Sequence, residues 1–173
     1  PEVKAVSFTG STAVGTRIAE SCARSLKKVS LELGGKNPTL VFADAPREKL
    51  LDTVQRSAFL NSGQICLCGS RLLVERGIYD SFRDELVARA RAMVVGDPAD
   101  AATQVGPVVS QAHFDKVMAC IELARAEGGR VLCGGEAVKP EGRCADGWFI
   151  APTIIEGLGP ACRTNTEEIF GPV

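Results

Sequence analysis

The sequence predicts an α/β fold with a largely parallel sheet. Short runs of β-forming residues alternate along the chain with segments of helical spacing. Glycine, proline or small polar residues also break the chain where one pattern gives way to the next.

Each element follows from its own residues. Val3 to Phe8 is an apolar run of β-formers and reads as a strand. Thr9-Gly10-Ser11-Thr12 reads as a turn ending in good helix caps, and Val14, Ile18 and Cys22 then recur at helical spacing. Val29 to Leu33 alternates apolar and polar, as a half-buried strand does, and Gly34-Gly35 ends it. Thr39 to Phe42 is a further strand, bounded by Pro38 and by Asp44-Ala45-Pro46. From Pro46 to about Leu60 the spacing of Leu50, Leu51, Val54 and Ala58 predicts a helix, with a proline at its start.

Asn61 to Gly69 is a polar, glycine-bearing loop around two cysteines, and Arg71 to Glu75 a strand. Tyr79 to Met93 places Phe82, Leu86 and Ala90 on one helix face. A long loop reaches Gly106-Pro107, and Ser110 caps a helix running to Glu127. Arg130 to Cys133 is a strand, and Gly147 to Ile155 is extended.

Composition narrows the function classes. Twenty basic and 21 acidic residues leave a formal net charge of -1, so no strong field recruits nucleic acid or an anionic membrane. No apolar run is long enough to cross a bilayer, and a cytoplasmic protein is expected. The seven cysteines are odd in number and show no second pair at zinc-site spacing, so free thiols and no metal centre are expected. The chain begins at Pro1 without a methionine and stops at Gly171-Pro172-Val173, as if cut at both ends from a longer protein.

Three segments carry candidate chemistry. Ser7 to Gly15 runs from strand through a small-residue turn into a helix, an arrangement that offers backbone N–H groups to a phosphate. An ordinary capped helix has the same pattern, and the turn is not G-x-G-x-x-G. Glu32, in Leu31-Glu32-Leu33-Gly34-Gly35-Lys36-Asn37-Pro38, is the single charge in an apolar strand. Such a carboxylate is either simply solvated or set beside a reacting group.

Cys66 stands in a loop beyond a helix, with glycines on both sides. It is either an accessible thiolate or a buried, inert thiol. The only histidine, His113, has no tie to Cys66 and reads as a surface residue at a helix start.

Taken together, these motifs resemble the NAD(P)-dependent aldehyde dehydrogenase superfamily over the whole chain. F-T-G-S-T-x-x-G, L-E-L-G-G-K-N-P, G-Q-I-C and E-E-I-F-G-P-V occur in the family's order, with Val105-Gly106-Pro107 and Gly147 to Thr153 between them. The resemblance implies the end of a Rossmann-type cofactor domain over residues 1–33. An incomplete α/β catalytic domain would then cover residues 34–173.

It also implies roles. Cys66 is the nucleophile and Glu32 the general base. Gly10 and Ser11 form the cofactor-side turn, with Ser11 against the pyrophosphate. Glu168 holds the nicotinamide ribose, and Phe170 packs near the nicotinamide. The implied cofactor is NAD, with NADP open, and the implied partner is a small aldehyde. The resemblance further implies a homo-oligomer, dimer or tetramer, for the complete protein.

Glu32 favours hydrolysis to a free acid over the coenzyme A-acylating alternative, and a non-catalytic protein on the same fold is the second alternative. The nonamer Gly63 to Arg71 looks most like the branch acting on 2-aminomuconic or 2-hydroxymuconic semialdehyde. Cys68 either lines the pocket or packs, and packing is the favoured reading.

Overall fold

A computed structural model describes residues 2–173. The chain divides into two compact units, one ending at Gly35 and the other spanning Lys36–Val173.

The first unit is β1 (Ala5–Gly10), α1 (Thr12–Ala23) and β2 (Lys28–Leu33). The strand continues through Gly10, two residues past the expected end, and Ser11 is the N-cap of α1. β1 and β2 pair in parallel, with Phe8 opposite Leu31, Thr9 opposite Glu32 and Gly10 opposite Leu33. Leu33 packs on buried Gly15 of α1, where an added Cβ would meet Leu33 Cδ2 at 2.5 Å. Strand alternation therefore turns the Leu31 and Leu33 side toward α1 and the Glu32 side away from it.

The second unit opens with β3 (Pro38–Val41), α2 (Arg47–Phe59) and β4 (Arg71–Val74), and β3 and β4 pair in parallel. α3 (Tyr79–Arg91) then packs beside α2. Val41, Leu51, Val54, Phe82 and Leu86 form the core between these elements. Burying each such side chain contributes about 1.5–3 kcal/mol. Outside that core, Arg89 reaches Glu48 and Asp52 across the two helices, each at 2.5 Å. These exposed pairs are screened by solvent and contribute little to stability.

α4 (Gln111–Ala126) is capped by Ser110, whose side chain accepts from His113 N at 3.3 Å. Val117 and Ile121 of α4 pack with Val108, Ile150 and Ile169 in a second core. The remaining elements are β5 (Arg130–Cys133), β6 (Ala137–Val138), β7 (Phe149–Ile150), β8 (Ile154–Glu156) and α5 (Arg163–Thr166).

Parallel pairing describes β1 to β4. By contrast, β5 with β8 and β6 with β7 are antiparallel. Only a single short 3-10 turn, Gly142–Cys144, lies between β6 and β7, so the chain folds back on itself there and the pair is a hairpin-like return. The expected extended segment from Gly147 is two short strands, β7 and β8, separated by Ala151–Thr153.

Candidate active site

Cys66 is exposed, on the loop between α2 and β4. The loop begins with three consecutive residues in the left-handed region, Asn61 at φ 52°, Ser62 at φ 56° and Gly63 at φ 70°. For Asn61 and Ser62 this conformation costs on the order of 1–3 kcal/mol each and persists only where the surroundings over-determine it.

The surroundings do so here. Ser62 is buried and its hydroxyl donates to Gly106 O at 2.8 Å. Asn61 Nδ2 donates to Gln64 O at 3.1 Å. Gln64 Oε1 accepts from Val109 N at 3.0 Å, and its Nε2 donates to Asn61 O at 3.2 Å.

The far side of the loop is held by β3 and its approach. Asn37 Nδ2 donates to Cys66 O at 2.6 Å and to Cys68 O at 3.3 Å. Arg71 Nη2 in turn donates to Lys36 O at 2.5 Å.

The two cysteines of the loop thereby separate in kind. Cys66 faces out, while Cys68 is buried with its sulfur 3.0 Å from both Ser57 O and Ala58 O. Burial pushes the Cys68 thiol up from its ordinary pKa, against the pull of Lys36. Cys68 is a packed thiol, and Cys66 is the accessible one.

The terminal segment meets this loop. A Cβ on Gly63 would collide with the Gly171 carbonyl and lie 2.9 Å from Pro172 N. Only glycine therefore fits Gly63, both by conformation and by the approach of Gly171. Glu168 and Phe170 are half-buried on either side of Ile169, which is buried in the second core.

His113 is not the free surface residue expected. It is half-buried, its Nε2 lies 2.6 Å from Phe170 O, and its ring stands edge-on to Phe170 with centroids 6.1 Å apart. These partners lie 57 positions apart in the chain, so no local pattern could have revealed the contact. Lys116, one turn along α4, donates to Glu168 O at 3.2 Å and Ile169 O at 3.0 Å.

Lys36 is a further residue that sequence reasoning passed over, although it stands inside the quoted motif. Burial pushes its pKa down and the Arg71 guanidinium adds to the effect; Cys120, Cys68 and Glu168 oppose it.

In the first unit, Gly10, Ser11 and Glu32 come together at one end of the β1–β2 pair. The Ser11 side chain accepts from Val14 N at 3.4 Å, so its oxygen caps α1. Gly10 lies under the Phe8 ring, where a Cβ would meet Cζ at 2.5 Å. Glu32 is exposed on the face turned away from α1. Thus Gly10, Ser11 and Glu32 belong to the first unit, whereas Cys66, Glu168 and Phe170 belong to the second.

Comparison with known proteins covers the whole chain. The profile of the aldehyde dehydrogenase family matches residues 1–173. The 2-aminomuconic 6-semialdehyde dehydrogenase of Pseudomonas sp is 44% identical over 173 residues, covering 100% of this chain and 35% of the relative. A betaine aldehyde dehydrogenase of Cereibacter sphaeroides is 44% identical over 172 residues, covering 99% of this chain and 34% of the relative.

Among solved structures, betaine aldehyde dehydrogenase from Staphylococcus aureus in complex with NAD+ superposes with a TM-score of 0.94 at 37% identity. That match covers 99% of this chain and 34% of the other. The NAD-dependent aldehyde dehydrogenase from Sinorhizobium meliloti gives 0.94 at 42% identity, covering 99% and 33%. The chain spans about a third of the length of these relatives. With the whole length matched by one family profile, the chain belongs to the aldehyde dehydrogenase family.

Proposed function

We propose that these residues serve an enzyme that oxidises an aldehyde to a carboxylic acid with NAD+. The observation carrying this reading is the exposure of Cys66 on a loop whose left-handed entry and Asn37 amide hold it in place. A thiol kept out of the core on a strained, fully tied loop is set for attack on an electrophile.

In the proposed reaction the Cys66 thiolate adds to the aldehyde carbon and forms a thiohemiacetal whose oxyanion needs fixed donors. The Cys66 backbone N–H is one such donor. Bound NAD+ supplies the acceptor for the hydride that leaves that carbon, and a thioester on Cys66 remains. Glu32 takes a proton from water, the hydroxide adds to the thioester, and Cys66 departs as thiolate while the carboxylic acid is released. Gly10 and Ser11 take the pyrophosphate side of the cofactor, and Glu168 and Phe170 take the nicotinamide ribose and ring.

Two features of the residues fit a dinucleotide. The turn after β1 opens α1 at Ser11, the N-cap of the helix, and the segment bearing Glu168 and Phe170 is held by α4. Residues 1–33 are read as the end of the dinucleotide-binding domain and 34–173 as part of the catalytic domain. NADP remains the alternative cofactor.

For the substrate we infer a muconic semialdehyde, on the support of the Gly63 to Arg71 nonamer and of the Pseudomonas relative. Betaine aldehyde is the second reading, because a betaine aldehyde dehydrogenase is equally identical to the chain.

The test is NADH formation by the full-length enzyme with a panel holding a muconic semialdehyde, betaine aldehyde and simple aldehydes, for wild type and Cys66→Ala. Free acid formed by wild type and lost in Cys66→Ala is the expected result. Acyl-coenzyme A in its place would favour the acylating alternative, and a folded, NAD-binding wild type without turnover would favour the non-catalytic one.

The seven free cysteines support a reducing, cytoplasmic setting. Among the described residues no helix is long and apolar enough to cross a membrane. A homo-oligomer, dimer or tetramer, is the proposed assembly, to be read by light scattering of the full-length enzyme.

A further inference from the structure

The Glu168–Phe170 segment presents three consecutive carbonyls to one face of α4, and two side chains take all of them. Lys116 Nζ donates to Glu168 O and Ile169 O, and His113 Nε2 lies 2.6 Å from Phe170 O. A carbonyl can only accept, so the Nε2 of His113 carries the proton.

His113 and Lys116 are three positions apart on the helix and share a face. Ser110 caps that same first turn on His113 N, so the ring is carried by a fixed backbone. The Phe170 ring also stands edge-on to His113.

The backbone so held is in an unfavourable state. Phe170 has φ 61°, in the left-handed region that an aromatic side chain rarely adopts. On one side Ile169 is sunk in the core with Val117 and Ile121. On the other, Gly171 packs against Val117 and abuts Gly63 at the entry to the Cys66 loop. The segment is therefore fixed by Ile169 below, Gly171 beyond, and the two donors of α4.

We propose that His113 and Lys116 are positioning residues. They hold the Glu168–Phe170 backbone so that the Glu168 carboxylate and the Phe170 ring are already in place when the nicotinamide cofactor arrives. This rests on the functional reading above, in which Glu168 and Phe170 face that cofactor. The Glu168 carbonyl contact is exposed and those of Ile169 and Phe170 are part-buried, so water can replace the lost donors, and Ile169 in the core keeps the fold. A loosened segment must instead be ordered on binding, and that cost falls on cofactor affinity.

The test uses the full-length enzyme, with NAD+ varied at saturating aldehyde, for wild type, His113→Ala, Lys116→Met and His113→Gln. His113→Ala, losing one hydrogen bond, raises KM for NAD+ about fivefold, and Lys116→Met, losing two, raises it at least as much, each with a smaller change in kcat and in KM for aldehyde. His113→Gln restores the wild-type value, because its amide donates to the same carbonyl. In a Glu168→Gln background the effect of His113→Ala shrinks, as it must if the two act together.

A folded His113→Ala with wild-type KM for NAD+, or one in which only thermal stability falls, overturns the proposal. Should His113→Ala not fold, the exposed Lys116→Met decides by the same criterion. A wild type that binds NAD+ without turning over sinks the functional reading alone, and NAD+ dissociation constants of the same variants then decide the clamp. A wild type that binds no NAD+ overturns both.

Discussion

Replacing Gly63 by alanine isolates the close approach that joins the Cys66 loop to the terminal segment. Two costs add at this position. The first is conformational: φ is 70°, and a Cβ in the left-handed region costs about 1–2 kcal/mol. The second is steric, since the new methyl would fall on the Gly171 carbonyl, backbone that no side-chain rotation can move aside. Overpacking of this kind costs about 1–3 kcal/mol, which brings the sum to about 2–5 kcal/mol.

Two other glycines separate the costs. Gly128 has φ 92° and open space around its Cβ position, so Gly128→Ala carries only the conformational cost of about 1–2 kcal/mol. Gly77 shows neither feature, and Gly77→Ala is neutral or stabilising by up to about 1 kcal/mol.

Urea unfolding followed by fluorescence, to which Trp148 of this segment contributes, reads all three in the full-length enzyme. Trp148 packs against the core that contains Ile169. The expected order of stability is Gly77→Ala above Gly128→Ala above Gly63→Ala, with turnover lost only in the last. Gly63→Ala as stable as Gly128→Ala would refute the steric reasoning.

Three further perturbations follow from the same structure. Asn37→Ala removes the amide holding Cys66 O and Cys68 O, and kcat/KM falls about tenfold with little change in Tm; unchanged kinetics would contradict it. Thr153→Val leaves the buried Gly135 N–H without its acceptor and costs about 1–3 kcal/mol in a urea midpoint series, against no loss if that bond is idle.

Glu127 accepts from the Thr164 hydroxyl at 2.5 Å and from Thr164 N and Arg163 N, and the Thr164 hydroxyl does most to hold its carboxyl below the ordinary value of 4.5. With the folded pKa depressed, its contribution is complete above 4.5 and disappears as pH falls through the lower folded value. The Tm of wild type should therefore drop more steeply on the acid side than that of Glu127→Gln. Parallel acid limbs would contradict this.

Elements with a long periodic pattern were legible from sequence. The stripe of Phe82, Leu86 and Ala90 predicts α3, and all three are buried. Ser110 marks the start of α4 and caps it through His113 N. β6 and β7 have two residues each, and α5 has four, too short for any period to register. α5 is capped not by its own neighbour but by the carboxylate of distant Glu127.

The exposed setting of Cys66 and the packing of Cys68 were both weighed from the loop's composition. The means that separates them was not, because it lies in long-range bonds from Asn37 and Ser57. Three successive left-handed residues, one of them serine, run against local preference and are held only by tertiary partners. His113 was misjudged for the same reason: its partner is brought to it by the fold.

The most direct test of the central claim is to trap the intermediate on Cys66. Full-length Glu32→Gln enzyme is incubated with NAD+ and aldehyde, quenched in acid, digested and mapped by mass spectrometry. One acyl group on Cys66 and none on any other cysteine, with NADH formed in a single turnover, is the predicted result. Free acid released at the wild-type rate, or an adduct on any other cysteine, would contradict the assignment of Cys66 as nucleophile and Glu32 as base.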